Sequence, residues 1–251
     1  MQIEAAPMLF EATNILQSGK MRPEDSMKLL RTGRRMVVAM CALLCGAAGV
    51  QLFAQPGQAG RPALLFKEEW KIPKHEGAAT DENTRFSPDV VTNERIEAKL
   101  YGPGSTPVRA AEHEGRVDLW NGLATSPVAV TLRDKRSYVD LTGLARLRWI
   151  VRTNAIHTLY PVVKLADGTF AVGSRGITTD GDFLAVEIAF TGMKWFKLDP
   201  QRIVVMTEVK NPDLSKVDEV GVASLAPGGG HGIAGSFNLS TVELFAKGTP
   251  R

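Results

Sequence analysis

At 251 residues the chain can build one domain with a substantial core, and its 30 Lys and Arg against 27 Asp and Glu leave a formal charge of +3. Both cysteines, Cys41 and Cys45, fall in one apolar run near the start, and from Gly60 onward 24 basic residues face 23 acidic ones. With that run removed, a disulfide framework, a thiolate metal site and a cysteine nucleophile are excluded, and no basic patch for nucleic acid is left.

The apolar run is the first readable element. Lys28, Arg31, Arg34 and Arg35 form a basic n-region, residues 36–53 are uncharged and mostly apolar, and small or turn-forming residues follow, ending in Gly57-Gln58-Ala59. This is the order of a secretory signal over residues 27–59. Glu4, Glu11, Glu24 and Asp25 precede Met27, so residues 1–26 read as an upstream over-extension of the start. A membrane anchor is the competing reading, since 18 residues lie at the lower edge of a spanning length. Two Gly and one Gln within the run and Pro56 after it favour cleavage, after Ala54 or Ala59. The expected product is periplasmic or extracellular, with no stable membrane span.

Residues 60–115 read as an irregular part of the domain, with short apolar stretches at residues 63–66 and 96–101. Residues 116–251 read as a train of short strands with a period of two. Residues 128–132 are β-prone. Leu147, Trp149 and Val151 alternate with Arg146, Arg148, Ile150 and Arg152. Residues 159–165 lead into the turn Ala166-Asp167-Gly168, and residues 170–172 return from it. Leu184, Val186, Ile188 and Phe190 alternate with Ala185, Glu187 and Ala189. Residues 203–209 precede the turn Asn211-Pro212-Asp213, Val217, Val220 and Val222 follow, and Phe237 to Phe245 alternate in a last strand. No long 3.6-residue pattern occurs after residue 60. The fold class expected is all-β, an antiparallel β-sandwich of jelly-roll type.

Two phrases resemble galactose-binding-like jelly rolls, including the CIA30-type and carbohydrate-binding-module branches. One runs from Tyr138-Val139-Asp140-Leu141 through Gly143-Leu144 into Arg146-Leu147-Arg148-Trp149. The other is Asn211-Pro212-Asp213-Leu214-Ser215-Lys216-Val217, followed by a Gly-rich loop and Phe237-Asn238-Leu239. The phrase Leu65-Phe66-Lys67-Glu68-Glu69-Trp70 is also similar to the opening of uncharacterised secreted bacterial polysaccharide-associated proteins. The resemblance implies a fold and a carbohydrate ligand; it supplies no catalytic motif. It also implies one possible cofactor, a structural calcium held by oxygen ligands between the first and last strands. Glu68, Glu69 and Glu243 stand at the comparable positions.

The candidate binding residues follow from alternation. Arg148 and Arg152 project from the face opposite Trp149, and Lys164 and Glu187 are expected on that same face from neighbouring strands. Such a face can clamp a carboxylate or hydrogen-bond hydroxyls, or it can be a solvated surface of cross-strand ion pairs. Trp120, in the turn-rich Asp118-Leu119-Trp120-Asn121-Gly122, is either a stacking platform for a sugar or a packed anchor. Trp149 and Trp195 read as core. His113, between Glu112 and Glu114, reads as a solvated loop residue. His231 lies in a glycine-rich loop that permits close approach to a ligand. The reading that results is an exported, non-catalytic protein that binds carbohydrate or another extracellular ligand. A glycan-active hydrolase or lyase would instead need carboxylates or a His/Tyr/Arg group converging in a cleft, and a structural envelope protein would need a flat apolar patch.

Overall fold

The structure is a computed structural model that describes residues 60–251 apart from 124, 155, 156, 180 and 226–234. The leader at residues 27–59 with its two cysteines, and His231, lie outside the described residues.

Fifteen strands are present among the described residues: β1 (Leu64–Glu69), β2 (Ile96–Tyr101), β3 (Arg109–His113), β4 (Arg116–Trp120), β5 (Val128–Asp134), β6 (Ser137–Asp140), β7 (Arg146–Asn154), β8 (Leu159–Leu165), β9 (Phe170–Gly173), β10 (Leu184–Ala189), β11 (Trp195–Asp199), β12 (Val204–Val209), β13 (Val217–Ser224), β14 (Ser236–Phe245) and β15 (Lys247–Pro250). They form two antiparallel sheets. One has the order β10-β7-β14-β4-β3, with β1 also on β14; the other runs β12-β11-β9-β8-β13-β5-β2, with β6 joining β13 to β15. No α-helix occurs among the described residues.

The strands form where apolar residues alternate, and the alternation decides which faces meet. In β7, Leu147, Trp149 and Val151 are fully buried while the residues between them are half exposed. From β10, Ile188 and the following Phe190 join them in the core, with Val186 half-buried against it. From the second sheet, Val130, Leu132, Leu159, Val163, Val220 and Val222 face the same layer. The 166–168 turn joins β8 to β9 as expected, with Gly168 at φ +87.

Residues 60–115 are irregular only in part. They contain β1, β2 and β3, and β1 reaches across to pair with β14, Leu64 opposite Phe245 and Glu69 opposite Thr241. The apolar signal in β1 is interrupted because Glu68 is one of its inward residues. It is fully buried and accepts hydrogen bonds from the Thr92 backbone N (2.7 Å) and Oγ1 (2.9 Å) and the Asn93 backbone N (3.2 Å).

The second sheet also buries part of its outer face. Ala129, Val162, Phe170, Val172, Leu198, Ile203 and Ala223 form a separate apolar cluster there. Ile203, at φ +54, is folded over from the β11–β12 loop, and a Cβ on Gly102 would lie 2.4 Å from its Cγ1. The chain therefore has glycine where β2 ends, in a left-handed conformation (φ +91) that glycine adopts without steric cost.

Candidate functional site

The outer face of the first sheet holds a cleft of about 360 Å³ lined by His113, Trp120, Leu123, Arg152, Asn154 and Asn238, among others. Strand register assembles it. Trp120 on β4 sits opposite Asn238 on β14 and Arg109 on β3, and Asn238 sits opposite Arg152 on β7.

The polar floor is one network. Asp118, fully buried two residues before Trp120 on the same strand face, accepts 2.9 Å from Asn238 Nδ2 on Oδ1, and its Oδ2 lies 2.9 Å from His113 Nδ1. Asn238 Oδ1 in turn accepts from Arg152 Nε at 3.2 Å. Burial pushes the Asp118 carboxyl above its usual value, and the Asn238 hydrogen bond and the charges of His113 and Arg152 pull only part of the way back. The aromatic wall is Trp120. The Arg109 guanidinium lies 4.2 Å from its ring centre and the His113 ring meets it edge-on at 5.7 Å. Phe183 lies under two guanidinium groups, Arg152 at 4.8 Å and Arg116 at 5.0 Å. Leu123 is 69 % exposed beside this group. A cleft with an aromatic wall, an exposed apolar rim and a few fixed polar groups can seat a small polar ring with apolar faces.

Of the residues expected to bind ligand, Trp120 and Arg152 come together here. Arg148 and Glu187 share the sheet face but stand elsewhere on it. Arg148 is four residues from Arg152 on β7, about 13 Å at 3.3 Å per residue, and its Nη1 is 2.9 Å from Glu243. Glu187 pairs with Arg61 and with Arg146 (3.4 Å). Arg148, Glu187 and Phe245 line a separate shallow depression of about 400 Å³. Lys164 is not on this face at all. It is on β8 of the other sheet, 3.2 Å from Glu219. Alternation told which residues of β8 share a face, but not which sheet β8 joins.

Glu219 is a fully buried acid on β13 that sequence reading missed. It accepts from Thr131 Oγ1 (2.7 Å) and Tyr101 Oη (2.9 Å) and pairs with Lys99 (3.3 Å) and Lys164. Burial raises its carboxyl, but the Thr131 and Tyr101 hydrogen bonds and the Lys164 charge outweigh it, so it lies below the usual glutamate value. Tyr101 is pushed up by burial and by that carboxylate. Both Glu219 oxygens are engaged, so this network ties β2, β5, β8 and β13 together.

The three carboxylates considered for calcium do not converge. Glu68 points inward to Thr92 and Asn93. Glu69 and Glu243 flank Lys67, which is 2.7 Å from Glu69 and held above the usual lysine value first by that hydrogen bond. No group of three His, Cys, Asp or Glu side chains is placed to hold a metal ion among the described residues.

His113, Asp118 and Asn238 also escaped the sequence reading. For His113 and Asp118 the signal was present: Glu114-Gly115 is a two-residue hairpin turn, which puts Ala111 opposite Asp118 and His113 opposite Arg116.

No family model matches the chain, and no curated protein matches it. Among solved structures, the chain is similar to a family 11 carbohydrate-binding module from Clostridium thermocellum in complex with a β-1,3-1,4-mixed-linked tetrasaccharide. The identity is 12%, 71% of this chain and 95% of that one are covered, and the TM-score is 0.35. The carbohydrate recognition domain of Emp47p matches at 12% identity over 76% of this chain and 99% of that one, TM-score 0.32. PfGH50B matches at 9% identity over 62% of this chain, TM-score 0.37, and the match spans 23% of its length. Likenesses of this size assign the chain to no family.

Proposed function

We propose that this protein is an exported β-sandwich that binds carbohydrate in the cleft between β3, β4, β14 and β7. The observation that carries the reading is the convergence of Trp120, His113, Arg152 and Asn238 on one cleft, with the buried Asp118 holding His113 and Asn238, and Asn238 in turn holding Arg152. A pyranose laid against Trp120 would use its apolar C–H face for stacking. Its hydroxyls would meet the Arg152 guanidinium and the His113 ring. Both groups are held by other side chains before a ligand arrives, so little ordering is left for binding to do.

A glycan array probed with the protein, then titration calorimetry on the best hit, tests the reading. Trp120→Ala should weaken binding by about tenfold or more, on the scale of an aromatic contact. A blank array, or affinity indifferent to Trp120→Ala, Arg152→Ala and His113→Ala alike, would remove the cleft from consideration. Export is tested separately: intact mass of the protein recovered from the producing cell should show a chain beginning between residues 55 and 60, without Cys41 and Cys45.

A second reading rests on the His113–Asp118 pair. A histidine with one ring nitrogen on a buried carboxylate and its ring lining a cleft has the geometry of a general acid or base. Release of reducing ends or of unsaturated sugar from a polysaccharide the array identifies, abolished in His113→Ala, would favour a glycan-active enzyme.

A further inference from the structure

The cleft holds one side chain in an unusual relation to its partner. Arg152 is fixed on three sides: its Nε donates to Asn238, its guanidinium covers Phe183 at 4.8 Å, and its Nη1 donates 2.9 Å to Glu114 Oε1. Glu114 is not fixed in the same way. It occupies the two-residue β3–β4 turn with Gly115, at φ +52 and +72, the left-handed pair that a type I′ hairpin turn requires. Its side chain is 61 % exposed against 21 % for Arg152. A preorganised cation is thus paired with a carboxylate reached from solvent, and such exposed pairs are held weakly. Among the described residues no Asp or Glu lines the cleft, and both oxygens of Asp118 are taken beneath it. Arg109 and Arg116 stand alongside, over Trp120 and Phe183.

Resting on the carbohydrate reading, we propose that the cleft selects an acidic sugar, a uronic acid residue whose carboxylate displaces that of Glu114 from Arg152. The Glu114 carboxylate marks where the ligand's carboxylate sits. The guanidinium fork suits a planar carboxylate, the ring lies against Trp120, and Glu114 swings into solvent on its hairpin turn. Glu114 is then an internal competitor that sets the affinity for acidic ligands and leaves that for neutral ones to other contacts.

The test uses trimers of galacturonate, mannuronate and glucuronate, each beside its methyl ester, titrated into the protein by calorimetry at low and high salt. One acid trimer should bind about tenfold tighter than its ester, from a charge-assisted contact the ester lacks, and the gap should narrow as salt rises. Glu114→Gln should widen the acid-to-ester ratio severalfold. Arg152→Gln should bring it to about one, with circular dichroism confirming the fold. A ratio of one in the unaltered protein, or a ratio that Glu114→Gln does not change, overturns the inference. If neutral oligosaccharides still bind through Trp120 in that case, only the acidic selectivity falls. If no sugar binds at all, the carbohydrate reading falls with it.

Discussion

Asn238 Nδ2 donates to Asp118 Oδ1 at 2.9 Å while its own Oδ1 accepts from Arg152, so a single amide spans from β4 to β7 across the central strand of the first sheet. The amide orients the cleft's cation and satisfies a carboxylate that has no water to turn to. Asn238→Ala should therefore affect both stability and binding. Leaving the buried Asp118 oxygen without its donor should cost about 1–3 kcal/mol, measured by urea unfolding. Sugar affinity should fall as Arg152 loses its orientation. A variant as stable as the parent would mean that Asp118 finds another donor.

Acid should destabilise the protein through the second sheet. The Glu219, Asp218 and Asp134 carboxyls each lie below their usual values. In all three, burial raises the value and hydrogen bonds outweigh it: from Thr131 and Tyr101, from Arg251 and Arg133, and from Arg95 with the Arg136 backbone. For an acid with a depressed folded value, the stabilisation is complete above the unfolded value, about 4, and is lost as pH falls through the folded one. Urea midpoints should hold near neutrality and drop below about pH 4. Glu219→Gln should be less stable than the parent at pH 7, and the difference should shrink toward pH 2. A constant difference across that range would rule out the Glu219 carboxylate as its source.

Asp118 and Glu68 have the opposite sign. Burial is the largest influence on each and holds each above its usual value, so each contributes a loss of stability as pH rises from the unfolded value through the folded one. Asp118→Asn should flatten the stability curve above about pH 4, where the raised carboxyl begins to differ from its unfolded state. A curve parallel to the parent's would contradict the raised value.

Gly221 on β13 leaves no room for a side chain. A Cβ there would stand 1.9 Å from the Val130 carbonyl oxygen and 2.7 Å from the Thr131 Cα, both backbone of the neighbouring strand. Gly221→Ala should cost about 1–3 kcal/mol or more by forcing β5 and β13 apart. Trp149→Ala, at a fully buried position, should cost about 3–5 kcal/mol by cavity formation. Either variant melting with the parent would show that the packing of its layer is looser than described.

The edge strand β12 exposes Val204, Val205 and Met206 in succession, at 49, 42 and 49 %, and is paired only to β11 among the described residues. Free apolar edges template association. Val205→Lys or Met206→Lys should lower light scattering on concentration while shifting stability by no more than about 0.5 kcal/mol. Scattering equal to the parent's would place self-association elsewhere.

The strands that sequence displayed best are those whose inner residues are all apolar. β7 is legible because Leu147, Trp149 and Val151 contrast with arginines, and the face on which Arg152 would stand followed directly. β1 was obscured by a buried Glu68, and β3 by two glutamates around a histidine that proved to be a strand residue. Lys164 was misplaced for a different reason. Side-chain period fixes a face within a strand, whereas sheet membership depends on pairings such as β8 with β13, written in no local pattern. The cleft suffered likewise: Trp120 and Arg152 were singled out, but Asp118 and Asn238, 120 residues apart, meet only once β4 and β14 are side by side.

The pairing of β1 with β14 has a consequence for the order of assembly. Leu64 and Phe245 are neighbours in the sheet and lie near opposite ends of the sandwich's sequence, so β14 acquires its partner along residues 241–245 only after nearly every other strand has been made. Contacts so distant in sequence are slow to close, and proteins dominated by them fold in milliseconds to seconds. During that interval the β14 edge is open to any extended chain nearby. The first strand is therefore the latch of this fold, and its docking rate sets how long a newly made molecule stays exposed to the wrong partner.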